Sequence, residues 1–236
     1  MAQGKLRWLG HSFFELVIAG GKVVLIDPWT QNDGNPACPL SLDGIEKADL
    51  ILVSHDHFDH IGSAAAISEK TGGMVGAAVQ SLGRLMEEGL PQERAANSGM
   101  GFNPGGGLEL DWIRVTATQA FHSSDTGVPL GLIIRTKDGT TIYHAGDTGI
   151  FGDMELLGRL YPLDVALLPM GGIFTMDAFQ AAQAVALLKP KLVIPMHFAS
   201  FPVLAPNADE FVKLCAQTAP ETKVRVLSPG EEFDLG

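Results

Sequence analysis

Short apolar runs recur along the chain, each closed by glycine, proline or a polar cluster, and their period separates strands from helices. Runs over 5–8, 13–19 and 22–27 read as strands, the last two joined as a hairpin across Gly20 and Gly21. The continuous apolar run 49–53 is a strand that opens into a histidine-rich segment, and the alanine-rich stretch 62–70 behind it is a helix. The pattern then predicts a strand over 74–78 and a helix over 80–88, stopped by Gly89 and Pro91. Residues 97–107 read as loop. Strands resume over 110–118, 131–136 and 140–143, with a turn at Lys137, Asp138 and Gly139 between the last two. Apolar runs at 164–168 and 191–195 flank an alanine-rich helix at 177–188, which starts on an acidic residue and stops before Pro190, so this part is a βαβ unit. A helix over 207–217 and an edge strand over 223–227 close the pattern. Two β-rich halves that each feed into helices predict one domain over 1–236, of the α/β class, built as a four-layer αββα sandwich.

Composition agrees with a packed domain, since 46% of the 236 residues are hydrophobic and 18% are charged. A chain of this length buries roughly 70% of its unfolded surface, so its core needs neither disulfide nor metal, and any metal site serves function. The 16 basic and 27 acidic residues give a net charge of −11 with no basic cluster, which argues against nucleic acid and anionic membranes as partners. No segment nears the ~18 apolar residues of a membrane span, and residues 1–9 carry no signal-like run, so a cytoplasmic protein is expected. Cys38 and Cys215 are isolated and expected to be reduced thiols. A mean hydropathy of +0.18 points to buried subunit contacts, and a homo-oligomer is among the expected states.

The chemistry concentrates in Ser54-His55-Asp56-His57-Phe58-Asp59-His60. In an extended loop leaving a strand, alternation sends His55 and His57 to one side and Asp56 to the other, so two imidazoles can share one cation. Asp59 and His60 fall where the next helix begins, turned toward a neighbouring point that suits a second cation. An N-cap or an exposed loop histidine would explain any one of these residues, but nothing structural demands them all at this spacing. His122, Asp147 and His197 each follow an apolar strand, as the His55 cluster does. Strand ends are where side chains distant in sequence converge on one crevice.

This string, with the lone His122, Gly146-Asp147-Thr148 and Pro195-Met196-His197, resembles the metallo-β-lactamase superfamily across nearly the whole chain. More narrowly, Trp8-Leu9-Gly10-His11-Ser12, Tyr143-His144-Ala145-Gly146-Asp147-Thr148, and Met170-Gly171-Gly172 with Phe174-Thr175-Met176 are similar to the metal-dependent hydrolase branch related to L-ascorbate-6-phosphate lactonase. The resemblance implies the αββα fold with a dinuclear site at one edge. It makes His55, His57 and His122 the ligands of one metal, Asp59, His60 and His197 those of the other, and Asp147 the bridge. His57 keeps the nitrogen-rich pattern, where redox di-iron members usually carry an acidic residue. Two zinc ions are expected, although the same nitrogen and oxygen donors accommodate Mn²⁺, Fe²⁺ or Ni²⁺.

Two cations ~3.5–4 Å apart lower the pKa of a shared water toward ~7, so the expected nucleophile is metal-bound hydroxide. No Gly-x-Ser-x-Gly elbow and no Cys-x-x-Cys offers an alternative. The expected reaction is hydrolysis of an ester-like bond, in a lactone, carboxylic ester or phosphoester, within a small molecule. Asp59, Asp147 and His11 are the candidate catalytic residues. Asp59 is placed to carry a proton to the leaving group. The resemblance puts His11 near the pocket, where it contacts substrate, moves a proton or serves as a structural hydrogen-bonding group. His144 reads as a core or supporting histidine, and Asp56 as supporting or solvent-facing. Gly105, Gly106 and Gly107 precede a strand and lack the Lys-Ser/Thr of a phosphate loop, so they read as a tight loop near the pocket. Trp29, Phe102, Phe121, Phe174 and Phe198 flank the motif loops as candidate cleft walls, and 170–176 as a candidate lid. The alternatives are a nuclease or RNA-processing phosphodiesterase, which the acidic balance disfavours, and a non-enzymatic metal-binding scaffold. A structural site closes at four ligands, whereas seven over two ions leave a position open.

Overall fold

Strand and helix alternate in the computed structural model, which describes residues 4–18 and 20–235. The elements are β1 (Lys5–Trp8), β2 (Phe14–Ile18), β3 (Lys22–Ile26), β4 (Leu50–Leu52), α1 (Phe58–Ile61), α2 (Ala64–Thr71), β5 (Met74–Gly76), α3 (Val79–Glu87), β6 (Gly107–Leu110) and β7 (Ile113–Gln119). They continue as β8 (Leu130–Thr136), β9 (Thr141–His144), α4 (Met154–Leu160), β10 (Val165–Pro169), α5 (Ala178–Leu188), β11 (Leu192–Met196), α6 (Asp209–Thr218), β12 (Lys223–Val224) and β13 (Glu232–Asp234). Ala19, the last residue of the strand predicted over 13–19, lies outside the described residues.

Two mixed sheets result, ordered β13-β1-β2-β3-β4-β5 and β12-β11-β10-β9-β8-β7-β6. The centre of the first sheet is buried on both faces, because its strands are continuous apolar runs whose successive side chains point to opposite sides. Val24, Ile26, Leu50 and Leu52 pack in one cluster with Val115, Leu132 and Ile134 of the second sheet. Their neighbours Leu25, Ile51 and Val53 pack instead with Ala64 and Ile67 of α2 and Leu82 and Leu85 of α3. The second sheet is covered by α5 and α6, whose Ala181, Ala182, Val185, Phe211 and Cys215 share a cluster with β10 and β11. The layers are therefore helix, sheet, sheet and helix, the αββα sandwich expected from the sequence. Asp177 caps α5 by accepting a hydrogen bond from the Gln180 amide, and the helix ends at Lys189 before Pro190.

The structure departs from the sequence pattern in three places. The strand predicted over 110–118 is the β6–β7 hairpin, with Leu110 opposite Ile113, because Gly107 is strand, paired with Thr116, and not loop. The edge strand predicted over 223–227 pairs with β11 only over Lys223–Val224, after which the chain crosses to the first sheet and β13 joins β1 antiparallel. Helix α4 had no clear periodic signal. Among the described residues no helix is long and apolar enough to cross a membrane.

The carboxyl-terminal ends of β4, β7, β9 and β11 lead into the loops bearing His55, His122, Asp147 and His197. Leu130 N–H donates to the Ser54 carbonyl (2.9 Å), which ties the start of β8 to the His55 segment, and His197 N–H donates to the His11 carbonyl (3.0 Å), which ties the His197 loop to the β1–β2 connection. Leu16 is fully buried between the sheets. Leu16→Ala is expected to lower unfolding stability by about 2–5 kcal/mol in a urea titration; a loss near zero would mean the sheets do not share this core.

Candidate metal centre

The polar segment after β4 turns into α1 at His57, whose extended backbone (φ −66°, ψ 149°) occupies the N-cap. His55 and His57 therefore precede the helix, and Asp59 and His60 ride on its single turn. His55 Nε2 lies 2.9 Å from His57 Nδ1. Donor atoms of His55, His57 and His122 all lie within 4.8 Å of one another. Asp59, His60 and His197 form a second such group, which also takes in His11, and His55, His60 and Asp147 form a third. Asp147 Oδ2 stands 3.4 Å from His60 Nε2, 3.5 Å from His122 Nε2 and 3.0 Å from His197 Nε2. All seven residues expected from the sequence thus meet in one place, with Asp147 between the two groups.

Local backbone geometry makes the convergence possible. Gly146 has φ +60°, and a Cβ there would lie 2.4 Å from the Leu130 carbonyl oxygen, so glycine is required to deliver Asp147. A Cβ on Gly171 would meet the His197 carbonyl at 2.0 Å, so this glycine lets residues 170–176 lie directly on the His197 backbone. His11, Asp27 and His197 themselves adopt left-handed φ values of 55°, 50° and 57°. Non-glycine residues held there mark positions that the surrounding structure over-determines.

Outer partners fix the direction of the imidazole lone pairs. Asp27 accepts from the Ser54 amide (2.7 Å), from Ser54 Oγ–H (2.7 Å) and from His60 Nδ1–H (2.7 Å). His60 Nε2 is thereby left to face Asp147. Because the Ser54 hydroxyl proton goes to Asp27, its oxygen accepts from His55 Nδ1–H at 3.0 Å, which frees His55 Nε2 toward His57. His60 Nε2, Asp147 Oδ1 and His197 Nδ1 are buried without a hydrogen-bond partner. Unsatisfied buried donors and acceptors are costly, and three together in a nitrogen- and oxygen-rich cluster are what a cation site looks like.

His11 sits against this cluster, its ring 4.0 Å from that of His197. Its Nδ1 is 2.5 Å from Ser200 Oγ and its Nε2 3.2 Å from Asp59 Oδ2. A lone pair on Nε2 would point at the carboxylate, so the favourable tautomer has Ser200 donating to Nδ1 and Nε2–H donating to Asp59. Burial, with the adjacent His197, lowers the His11 pKa to about 4, so the ring is neutral. His144 is a structural tie: Nε2–H donates to the Ser12 carbonyl (3.0 Å) and Nδ1 accepts from the Gly146 amide (3.1 Å). Asp56 points away, as alternation required. It accepts from the Asp125 amide (2.8 Å), the Thr126 amide and the hydroxyls of Ser124 and Thr126, and so anchors the loop that follows His122.

The electrostatics are those of charges held out of water. Burial pushes the Asp147 carboxyl upward, but His197 and His60 outweigh it and hold it well below the usual carboxylate range. Burial likewise opposes charge on His60, yet Asp147 and Asp27 hold its pKa well above that of free imidazole. Burial lowers both His55 and His122. For Asp59, burial is overcome by the hydrogen bond from His11 and by His60, and its pKa is lowered.

A cavity of about 580 Å³ opens over the cluster. Of the candidate walls, Phe174 lines it, together with Phe58, Phe201 and Val203, which the sequence reading did not single out. Trp29 is buried beneath Phe201 (ring centroids 5.4 Å), Phe102 is in the core, Phe198 stacks on Trp8 (5.2 Å), and Phe121 leans on Phe151. Gly105–Gly107 does not line this cavity. Asp27 and Ser200 were also missed. Asp27 carried a usable signal, since it follows an apolar strand as the other cluster residues do.

Residues 22–198 match the family described as the beta-lactamase superfamily domain. A chain named "UPF0173 metal-dependent hydrolase" from Nitratidesulfovibrio vulgaris is 51% identical over 233 residues, covering 99% of this chain and 96% of the relative. One of the same name from Caldivirga maquilingensis is 45% identical and covers 98% of each chain. Among solved structures, Igni18, a metallo hydrolase from the archaeon Ignicoccus hospitalis, is 38% identical with a TM-score of 0.87 over 98% of both chains.

Asn tolerates the left-handed backbone of Asp27 but keeps one acceptor oxygen where Asp has two and carries no charge, so the Ser54 amide and His60 Nδ1–H can no longer both be answered. Asp27→Asn is therefore expected to weaken zinc binding roughly 10–100-fold in competition with a chromophoric chelator, and unchanged affinity would contradict the orienting role. Asp147 and Asp27 favour the protonated form of His60, and a cation needs its Nε2 lone pair, so cation binding is expected to expel a proton. Calorimetric titration in buffers of different ionisation enthalpy should show proton release, and a buffer-independent heat would count against it.

Proposed function

The chain belongs to the metallo-β-lactamase superfamily and is a metal-dependent hydrolase, and from that premise we propose that it holds two divalent cations and cleaves an ester-like bond in a small molecule. His55, His57 and His122 would hold one ion, Asp59, His60 and His197 the other, and Asp147 both. Two such ions supply hydroxide at neutral pH and positive charge for the oxygen that gains electrons. The donors are imidazole and carboxylate without thiolate, which suits zinc and admits Mn²⁺, Fe²⁺ or Ni²⁺. The observation that carries this reading is the pair of donor groups joined through one buried carboxylate at the floor of an open cavity.

The chain's own groups handle the proton. Asp59 lines the cavity, and the hydrogen bond from His11 Nε2–H steadies its Oδ2. While one oxygen of Asp59 would face the ion, the carboxylate so steadied would take a proton from the attacking water and pass it to the leaving group. Ser200 fixes His11 in the tautomer this needs, so His11 is a positioning residue for Asp59. The likeness of Trp8–Ser12 to the branch related to L-ascorbate-6-phosphate lactonase supports a lactone or carboxylic ester among ester-like substrates. Free, buried Cys38 and Cys215 suit a reducing compartment such as the cytoplasm. The net charge of −11 disfavours a nucleic-acid substrate.

Asp59→Asn should lower kcat roughly 10²–10⁴-fold while zinc remains bound; near-normal kcat with full occupancy would remove Asp59 from proton transfer. His11→Asn, compatible with the left-handed backbone, is expected to lower kcat and shift the pH profile with little change in KM. A matching fall in metal content would instead make His11 a ligand.

A further inference from the structure

The cavity walls divide by chemistry. The floor carries His57, Asp59, His122, Asp147 and His197, and the mouth carries Phe58, Phe174, Phe201, Pro202 and Val203. Ser123 and Asp125 are the polar remainder, and among the described residues no lysine or arginine lines the space. Arg84 is nearby but does not line the space: it donates to the Asp56 carbonyl (3.0 Å), to Asp125 (3.2 Å) and to Glu88 (3.0 Å). Phe58, Phe174 and Val203 are 63%, 55% and 58% exposed, an apolar rim contiguous with the metal cluster and not a scatter of single residues. Part of the rim is rigid, because Phe201 stacks on buried Trp29 at 5.4 Å and Phe58 meets that indole edge-on at 5.9 Å.

We propose that the substrate is an uncharged carboxylic ester or lactone with an apolar acyl or aromatic group beside the scissile bond, and that molecules with an anionic group away from that bond are rejected. The inference rests on the hydrolase reading above and narrows it. A phosphate or carboxylate held at the mouth, away from the scissile bond and the ligand cluster, would lose its hydration among Phe58, Phe174 and Val203 with no lysine or arginine lining the space to answer it. An apolar chain instead takes the faces of Phe58, Phe174 and Phe201 out of water. Phosphorylated lactones are struck from the substrate class for the same reason.

The test uses zinc-loaded protein and three p-nitrophenyl esters: hexanoate, acetate and hemisuccinate. Expected kcat/KM is about tenfold or more higher for hexanoate than acetate, the size of effect that added methylenes produce in an apolar pocket, and lower for hemisuccinate than acetate. Calorimetric titration with hexanohydroxamic acid and with the monohydroxamate of succinic acid reads the same preference without turnover. Val203→Lys, at an exposed position, should narrow the hexanoate-to-hemisuccinate ratio at least tenfold, and Phe174→Ala should weaken hexanohydroxamate binding. Ester turnover with no chain-length preference, or with hemisuccinate preferred, overturns the pocket assignment and leaves the hydrolase reading standing. No ester turnover alongside the hydroxamate preference supports the pocket and removes the ester reaction. A dimer that Val203→Lys and Phe174→Ala both dissociate in sedimentation velocity would make the rim a subunit interface and overturn the proposal.

Discussion

Carboxylates and imidazoles crowded out of water are the constraint around which this structure is organised. Asp27 and Asp147 are essentially inaccessible and Asp59 is largely so, and they stand among six histidines. A carboxylate removed from water costs several kcal/mol unless an opposite charge answers it at close range. In the protein alone the answer comes from imidazoles: His60 between Asp27 and Asp147, and His197 beside Asp147. The pair of divalent cations proposed above would answer Asp59 and Asp147 directly, and would use the lone pairs that Ser54 and Asp27 have turned inward.

The sandwich exists to hold that arrangement still. Each of the strands that end at the site is buried along most of its length, so the loops leave from fixed points. Gly146 and Gly171 admit backbone approaches that no side chain would survive. The Asp56 carboxylate ties the loop after His122 to the segment that carries His55 and His57, linking two stretches of chain through side-chain and amide hydrogen bonds. Precision at a metal centre comes from such supporting contacts as much as from the ligands.

The short apolar runs at 22–26 and 50–53 made the first sheet legible, and the βαβ pattern at 164–195 gave the parallel part of the second. Alternation correctly set His55 and His57 together and Asp56 apart. What did not read through was decided by tertiary contact. Gly107 became strand because Thr116 lies opposite it, and Glu232–Asp234 became strand because β1 offered an open edge. Asp27 and Ser200 gain their roles only when segments 27–33 and 189 residues away, respectively, are folded against them. The aromatic rim escaped for a related reason: the composition of Phe58 or Phe201 cannot tell a wall from a core, and only the cavity does.

The central claim is that two cations share Asp147 at this strand edge. Diffraction from zinc-soaked crystals, recorded on either side of the zinc absorption edge, tests it most directly. The account predicts two anomalous peaks per chain, one among His55, His57 and His122 and one among Asp59, His60 and His197, with Asp147 contacting both. A single peak, or peaks held by other residues, would contradict it.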